Sequence, residues 1–287
     1  MKTNLEELDK IINLDTPQLV LISGTNKIEK RFNISLLTDI ALRQKVPTAL
    51  FHNKEKVNLE DISYKFTDIR DKILSNYYNI NISEISDYRL TESCLTAENT
   101  KWKEKEYVFI DDGDLKIKLL SKENQDKLNY GYEKINNSNL YIDDTTKFTL
   151  DEIDIKCKKL KKENNIKMIV INDLEIINAP KISIFKKLKE LSGDLNIVII
   201  IAYSIRFDDI DLNTPLEKQI SDIETIVKNS DIVLCMNELD EESKGVIKLT
   251  IAKNNNGNTG IIELIYIEKY YKFMTLIKKG IIINNER

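Results

Sequence analysis

Short apolar runs, rich in valine and isoleucine, recur along the chain with longer polar and amphipathic segments between them. Continuous apolar runs are typical of strands that are buried on both faces, as in a parallel sheet covered by helices. We therefore predict buried strands at residues 19–23, 48–52, 140–142, 168–172, 197–202 and 232–236.

The segments between these runs carry helical signals. The tetrapeptide Thr149-Leu-Asp-Glu152 has the form of a capping box, in which a hydroxyl and a carboxylate satisfy each other's backbone amides at a helix start. Three residues at one-turn spacing then mark a buried helix face opposite several lysines: Ile153, Cys157 and Leu160. Strands that alternate with helices predict an α/β fold with a doubly wound sheet.

The C-terminal part of the chain follows another pattern. Three further segments, residues 246–252, 261–267 and 273–277, are separated by short turns, one of which contains Asn256-Gly257. Such turns connect antiparallel strands, so we predict hairpins that complete the sheet. Residues 58–137 are polar and charged, and their composition favours helices. Because no low-complexity linker interrupts the chain, we predict one domain, residues 1–287.

Composition narrows the class of protein. Of the 287 residues, 41% are hydrophobic and 31% are charged, as in ordinary folded soluble proteins. The formal net charge of -4 provides no general attraction to nucleic acid. The three cysteines are widely spaced, which predicts reduced thiols in a cytoplasmic protein, and no apolar run reaches the roughly 18 residues of a membrane span. His52 is the one histidine, which excludes metal sites built on several imidazoles.

The first buried run leads into the stretch ISGTNKIEKRFNIS, residues 22–35. A phosphate-binding loop has glycine, four residues, glycine-lysine and then serine or threonine, between a strand and a helix. Gly24 and Lys30 fall on their positions in that pattern. Glu29 stands where the second glycine belongs and Arg31 where the hydroxyl belongs. The stretch therefore keeps the position and spacing of the motif, but two of its functional residues are replaced.

Several stretches, in order along nearly the whole chain, resemble the C-terminal RecA-like ATPase domain of DnaB-type replicative DNA helicases. They are Leu5-Glu-Glu-Leu-Asp9, Leu140-Tyr-Ile-Asp-Asp144, the Walker B strand at residues 168–172, and Ala252-Lys-Asn-Asn-Asn-Gly-Asn-Thr-Gly260 against the family's AKQRNGPTG. The resemblance implies a RecA-like P-loop NTPase fold: a mostly parallel twisted sheet flanked by helices, with antiparallel strands at the C-terminal end. The chain begins at the ATPase core, so we also expect the family's N-terminal domain and linker helix to be absent.

Family members transfer a phosphoryl group with a loop lysine, a hydroxyl on Mg²⁺, a Walker B aspartate, a glutamate that orients water and a neighbour's arginine finger. By resemblance, Lys30 is the loop lysine and Lys253 is the companion of the finger. The other positions hold residues without the required chemistry: Lys54 for the glutamate, Asn172 for the aspartate, Tyr203 for a polar sensor, Asn255 for the finger, and Arg31 at the place of the hydroxyl and its dication.

Glu55 and Asp173 lie one residue from two of the eroded positions and are the candidates for a rescue of catalysis. Neighbouring residues on a strand point to opposite faces, so we expect both acids to face away unless a bulge intervenes. We therefore predict no catalytic residues, no metal and no cofactor. The predicted vestige of a nucleotide-binding site consists of Gly24, Glu29, Lys30, Arg31 and Lys253.

The resemblance leaves two functions in competition. The first is a non-hydrolysing paralogue of a replicative helicase, in DNA replication or mobile-element maintenance, that acts as a binding or scaffolding module for a helicase, a loader or itself. The alternative is a divergent ATP-dependent replicative DNA helicase that uses Lys30, Glu55 and Asp173 with ATP and Mg²⁺. A third hypothesis is a pocket reused for another anion.

DNA binding is expected to be weak or absent. The family's second DNA loop corresponds to residues 204–222, which carry two basic residues against five acidic ones and should repel phosphate. Two other charged stretches have simple explanations. Residues 158–162 (KKLKK) fit the solvent-facing side of a helix, and a solvated turn accounts for Asp111, Asp112 and Asp114.

Overall fold

The computed structural model describes residues 1–25, 27–53, 68–95, 100–104, 107–110, 115–118, 120–203, 216–238 and 245–276. The strands are β1 Gln18–Gly24, β2 Thr48–Phe51, β3 Thr100–Glu104, β4 Tyr107–Ile110, β5 Leu115–Lys118, β6 Leu140–Asp143, β7 Met168–Ile171, β8 Val198–Ala202, β9 Ile232–Glu238, β10 Val246–Asn254, β11 Gly260–Ile267 and β12 Lys272–Thr275. The helices are α1 Glu6–Asp9, α2 Ile28–Leu37, α3 Ile69–Tyr78, α4 Ile82–Leu95, α5 Lys122–Asn136, α6 Leu150–Asn164, α7 Lys181–Leu195 and α8 Leu216–Asn229. A π-helical turn, Thr38–Arg43, prolongs α2, and short 3-10 turns lie at Leu174–Ile176 and Glu268–Tyr270.

The main sheet of the described residues has the strand order β12-β11-β10-β9-β1-β8-β7-β2-β6. All neighbours from β9 to β6 are parallel. The last three strands continue the sheet in antiparallel fashion. The predicted fold class, a mostly parallel sheet flanked by helices with antiparallel strands at the C-terminal end, is confirmed.

Burial on both faces explains the continuous apolar runs. Every residue of β1 is buried. Val20 and Ile22 pack in a core with α2, α3 and α5, whereas Leu19 and Leu21 pack in a second core with α6, α7 and α8. The strand therefore has no face left for polar residues.

The helix that follows β6 forms as its sequence predicts. Thr149 accepts a hydrogen bond from the Glu152 amide, and the Glu152 carboxylate accepts one from the Thr149 amide. Ile153 and Cys157 are fully buried, while Lys158 lies on the exposed side and pairs with Asp154.

The region predicted to be mostly helical holds a feature that its composition did not indicate. Helices α3, α4 and α5 are present, but β3, β4 and β5 form a separate antiparallel sheet between α4 and α5. These strands are only four or five residues long, and lysines interrupt β3 and β5, so they lack the longer apolar runs that mark the main sheet.

The direction of the strands places two sites at opposite edges of the main sheet. The parallel strands β1, β8, β7, β2 and β6 all end at one edge, which is where ligands bind in open α/β sheets. Since β10 runs antiparallel to β9, the turn between β10 and β11 lies at the other edge. No helix of the described residues is long and apolar enough to cross a membrane.

Candidate functional site

The chain passes from β1 to α2 in a loop of three residues, 25–27. Lys27 caps the helix with a left-handed backbone, at φ 61°. A phosphate loop keeps its glycine-rich residues outside the helix so that they can wrap around a phosphate. Here Ile28 and Glu29 are already helical, and the loop is correspondingly shorter.

Backbone amides of this loop are used within the loop itself. The N–H of Ile28 donates to the Thr25 carbonyl at 3.0 Å, and the N–H groups of Lys30 and Arg31 both donate to the Lys27 carbonyl at 3.2 Å. In a phosphate loop such amides point at the phosphates. These three amides are committed to the turn instead.

Glu29 fills the space beside Gly24. Its side chain is fully buried, and a Cβ atom at position 24 would lie 3.2 Å from its Oε2. The same Cβ atom would lie 2.5 Å from Cγ2 of Ile28, so position 24 has room only for glycine. The residue at the family's second glycine position thus brings a carboxylate into the loop, where its charge would oppose a triphosphate.

Lys30 is bound by an acid of its own chain. Its Nζ lies 2.6 Å from Oδ2 of Asp173, and both side chains are about one fifth exposed (23% and 20%). The other carboxylate oxygen of Asp173 accepts a hydrogen bond from the Glu175 amide and caps the 3-10 turn that follows. Both oxygens of Asp173 are therefore engaged.

The expectation that Asp173 faces away from the loop is wrong. The alternation of side chains holds only inside a strand, and β7 ends at Ile171, two residues earlier. Once the chain leaves the pleat, the turn at Leu174–Ile176 directs Asp173 toward Lys30. No bulge is needed for this arrangement.

A neutral amide occupies the position of the Walker B aspartate. Asn172 is 2% exposed, and its N–H donates to the Phe51 carbonyl at 3.0 Å. Its Oδ1 has no hydrogen-bond partner among the residues that the structure describes. Mg²⁺ is held in such sites by carboxylate and phosphate oxygens, and within the described ranges no three His, Cys, Asp or Glu side chains cluster as a metal site. The neutral amide of Asn172 therefore supplies no charge to such an ion.

Arg31 lies apart from the place of the dication. Its guanidinium is 3.9 Å from the Glu268 carboxylate and 5.5 Å from the centroid of the Tyr266 ring. These partners belong to the C-terminal strands, on the opposite side of β1 from β7. The expected positive charge beside the Walker B position is therefore supplied by Lys30, and Arg31 stabilises the contact between α2 and the end of β11.

Tyr203 directly follows β8, which lies between β1 and β7. Its hydroxyl accepts a hydrogen bond from Nζ of Lys181 at 2.6 Å, and its N–H donates to the Ile22 carbonyl at 3.0 Å. Lys181 is the first residue of α7. The family's sensor position is thus tied to the start of the neighbouring helix.

Lys253 and Asn255 lie at the opposite edge, near the turn between β10 and β11. Nζ of Lys253 donates to the carbonyls of Ser230 at 2.6 Å and Val227 at 2.9 Å, at the C-terminal end of α8. The Asn255 side chain donates to Oδ1 of Asp231 at 3.1 Å, and its N–H donates to the Asp231 carbonyl at 2.9 Å. Burial lowers the pKa of Lys253, and the nearby Asp231 partly offsets this effect. Both residues are held by their own subunit.

Asp231 is a polar centre that sequence reasoning missed. Besides Asn255, its carboxylate accepts hydrogen bonds from the Leu19 amide at 2.8 Å and from Nζ of Lys189 at 2.6 Å. It thereby joins the start of β1, helix α7 and the β10–β11 turn. The sequence signal that could have identified it is an acidic residue directly before the apolar run that forms β9.

A second missed cluster lies among α3, α4 and α5, around a cleft of about 350 Å³. The buried Asp71 accepts hydrogen bonds from the Tyr132 hydroxyl at 2.6 Å and from Arg89 at 3.1 Å. Burial raises the pKa of Asp71, while Tyr132 and Arg89 counteract part of that shift. Its carboxylate is satisfied inside the fold, which is the mark of a structural contact.

Several predicted positions lie outside the described residues. These are the eroded and rescue positions Lys54 and Glu55, the acidic turn Asp111, Asp112 and Asp114, and residues 204–215 of the second DNA loop.

Among the predicted positions that the structure describes, Gly24, Glu29, Lys30 and Asp173 lie together, whereas Lys253 and Asn255 lie at the opposite edge of the sheet.

Comparison with known proteins agrees with this architecture. The family profile described as "DnaB-like helicase C terminal domain" matches residues 106–275. The replicative DNA helicase DnaB of Geobacillus stearothermophilus is 30% identical over 183 residues, which cover 58% of this chain and 40% of that protein. The chain thus spans less than half the length of this relative.

Two solved structures share the fold. One, described as an ATPase domain, matches with a TM-score of 0.69 and 17% identity, over 96% of this chain and 91% of that one. A DnaB-like replicative helicase, described together with its interactions with primase, matches with a TM-score of 0.67 and 18% identity, over 96% of this chain and 63% of that one. Because the family profile covers more than half of the sequence, the chain belongs to the DnaB-like helicase C-terminal domain family.

Proposed function

We propose that this protein is a DnaB-like member of a DNA replication or mobile-element system that does not hydrolyse nucleotide and acts as a binding or scaffolding module. The contact between Lys30 and Asp173 at 2.6 Å is the observation that carries this proposal. In a working motor, the lysine faces phosphate and the acid faces Mg²⁺. Here the two charges neutralise each other directly.

The loop around this pair supports the same conclusion. The amides of Ile28, Lys30 and Arg31 donate to carbonyls of the loop, and the buried Glu29 carboxylate lies beside Gly24. A triphosphate would have to break the ion pair, rebuild the turn and approach a carboxylate. Each step costs free energy that a phosphate loop with glycine does not require.

The remaining catalytic positions lack the groups that accelerate transfer. Asn255 cannot act as an arginine finger, a group whose loss alone reduces the rate by roughly 10³ to 10⁵. Asn172 cannot neutralise a dication, and Tyr203 is bound to Lys181. Turnover should therefore be near the uncatalysed background.

The partner in this proposal is another replication protein, namely a helicase, its loader, or a second copy of this chain. One of the similar structures is described with primase, so primase is a further candidate to test. DNA binding is expected to be weak, because the acidic residues of the stretch 204–222 outnumber the basic ones.

Steady-state ATPase assays with single-stranded DNA test the proposal. We expect no turnover above a no-protein background, and no difference between the wild type, Lys30→Ala and Lys162→Ala. The last variant removes an exposed lysine on α6 and serves as the matched control. Turnover that disappears in Lys30→Ala but persists in Lys162→Ala would overturn the proposal.

The alternative is a divergent ATP-dependent helicase, and one observation favours it. Asp173 faces the loop, so an acid stands within reach of the lysine that would hold the phosphates. That function requires nucleotide to open the ion pair and Mg²⁺ to take over Asp173. It predicts tight Mg-ATP binding by calorimetry, and the absence of a binding signal would exclude it.

A further inference from the structure

The turn between β10 and β11 is rich in asparagine. Residues 254–259 read Asn-Asn-Asn-Gly-Asn-Thr, and residues 255–259 are exposed. Asparagine followed by glycine is a strong signal for a turn between strands. The same pair of residues has a second chemical property, because the side-chain carbonyl carbon of an asparagine can be attacked by the backbone nitrogen of the next residue.

The surroundings of position 257 require glycine. A Cβ atom there would lie 2.9 Å from the carbonyl oxygen of Ile11 and 2.7 Å from Nδ2 of Asn254. That carbonyl belongs to the backbone and accepts a hydrogen bond from Nδ2 of Asn254 at 3.0 Å, so it cannot move aside without loss of the contact. The turn therefore keeps Gly257, the residue that hinders attack by its own nitrogen least.

The first two asparagines of the turn are held by hydrogen bonds. Nδ2 of Asn254 donates to the Ile11 carbonyl, and Nδ2 of Asn255 donates to Oδ1 of Asp231 at 3.1 Å. Each of the two is followed by another asparagine, whose Cβ atom crowds the attacking nitrogen. Neither is placed to react.

The side chain of Asn256 is held by no hydrogen bond to any residue that the structure describes. Its own N–H donates to Oδ1 of Asn254 at 3.2 Å, which leaves the side-chain amide in solvent. Asn258 is exposed as well, but it precedes the β-branched Thr259. Asn256 alone combines an exposed, unbonded amide with a glycine after it.

We propose that Asn256 is a site of spontaneous deamidation. The nitrogen of Gly257 forms a bond with Cγ of Asn256, and the side-chain nitrogen leaves as ammonia together with the proton of the attacking N–H. The product is a cyclic imide. Water from the solvent then opens one of its carbonyls, which gives either aspartate or isoaspartate. The reaction consumes only water and involves no oxidation or reduction.

Both products change the turn. Each adds one negative charge to a chain whose formal net charge is already -4. Isoaspartate also lengthens the main chain by one carbon atom between the amide that donates to Asn254 and the glycine packed against Ile11. The turn lies at the opposite edge of the sheet from the Lys30 loop, so deamidation and the absence of turnover are tested separately.

Peptide mapping of the full chain by mass spectrometry tests the proposal. After incubation for days in mildly alkaline buffer, trypsin releases residues 254–269 as one peptide, and fragmentation locates the modified asparagine within it. Conversion at Asn256 should exceed conversion at each other asparagine of the turn by at least about tenfold. It should be slower in mildly acidic buffer, because the attacking nitrogen must lose its proton.

A synthetic peptide of residues 253–262 is the unfolded reference, and Asn256→Gln is the matched variant. Glutamine keeps an amide at this position but would have to close a larger ring, so the acidic form should no longer appear on anion exchange. The proposal is overturned if Asn256 of the folded chain stays intact after the peptide has been converted. It is equally overturned if all four asparagines react alike, or if Asn256→Gln acidifies at the wild-type rate.

Freshly purified Asn256→Asp separates the added charge from the added backbone atom. Amide hydrogen exchange in residues 254–258 should be faster in the isoaspartate form than in Asn256→Asp, since only the former lengthens the main chain. Equal exchange in the two forms would contradict the expected change in the backbone of the turn.

Discussion

Replacing Asp173 by asparagine distinguishes the two functional hypotheses, because they predict opposite changes in the affinity for nucleotide. The side chains of Lys30 and Asp173 are about one fifth exposed, so this ion pair is intermediate between a surface pair and a buried pair. Exposed pairs contribute less than about 1 kcal/mol, and removing one partner of a buried pair costs about 3–5 kcal/mol, so we assign about 2 kcal/mol to this contact. Asparagine still accepts a hydrogen bond from the Glu175 amide, so the turn should be preserved.

A ligand that uses Lys30 must first break the pair, and its apparent affinity is reduced accordingly. About 2 kcal/mol corresponds to roughly 30-fold in the dissociation constant. Asparagine retains a weaker bond to Lys30, so we expect Asp173→Asn to bind a fluorescent ATP analogue about tenfold more tightly, with or without Mg²⁺. In a divergent helicase the same change removes a metal ligand and weakens Mg-ATP binding.

Fluorescence anisotropy titrations at fixed ionic strength measure this difference. Asp143→Asn is the matched control, because Asp143 ends β6 at the same edge and pairs with Lys156. The control should leave the affinity unchanged. If Asp173→Asn binds the analogue no better than the wild type, the ion pair does not block the site and the reasoning fails.

Three further predictions concern stability, each measured by urea unfolding. Asp231→Ala should destabilise the fold by about 2 kcal/mol, because it leaves the buried Leu19 amide and the Asn255 side chain without their acceptor; a loss below about 0.5 kcal/mol would contradict this. Gly24→Ala should cost about 1–3 kcal/mol through the 2.5 Å contact with Ile28, whereas Gly193→Ala, which meets no atom within 4 Å in α7, should not destabilise. Burial raises the pKa of Cys157 to about 12. The folded state thus keeps a proton that the unfolded chain loses near pH 8.5, so stability should fall relative to Cys157→Ala as the pH rises above about 8.5. Equal pH dependence would refute that assignment.

The central parallel strands β1, β2, β7 and β8 are predictable because burial on both faces removes any need for a polar residue. Runs such as Met168–Ile171 therefore have one physical explanation, and the resemblance supplies their order. The short strands β3, β4 and β5 lack this constraint. Lysines interrupt β3 and β5, and the apolar run of β4 is only four residues long, so pairing between the strands determines the outcome.

The chemistry at the site was predictable where it depends on residue type alone. Glu29 at the second glycine position and Asn172 at the Walker B position follow from the sequence, and the structure adds where their atoms lie. The direction of Asp173 was not predictable, because it depends on where β7 ends. The acid meets Lys30 because β7 ends two residues before it and a turn follows.

The positions that correspond to the family's site, whether retained or replaced, share a physical feature that single substitutions do not reveal. Lys30 is bound to Asp173, Tyr203 to Lys181, and Lys253 to carbonyls at the end of α8. In the family such groups act on a nucleotide or a neighbouring subunit, where they must be free to bind. In this chain each group has a partner in its own subunit, so its polar atoms stabilise the fold in the absence of any ligand. If the protein is a non-hydrolysing module, as we propose, restoring catalysis would require breaking these contacts as well as replacing the missing side chains, and the two costs add wherever the sites share no partner.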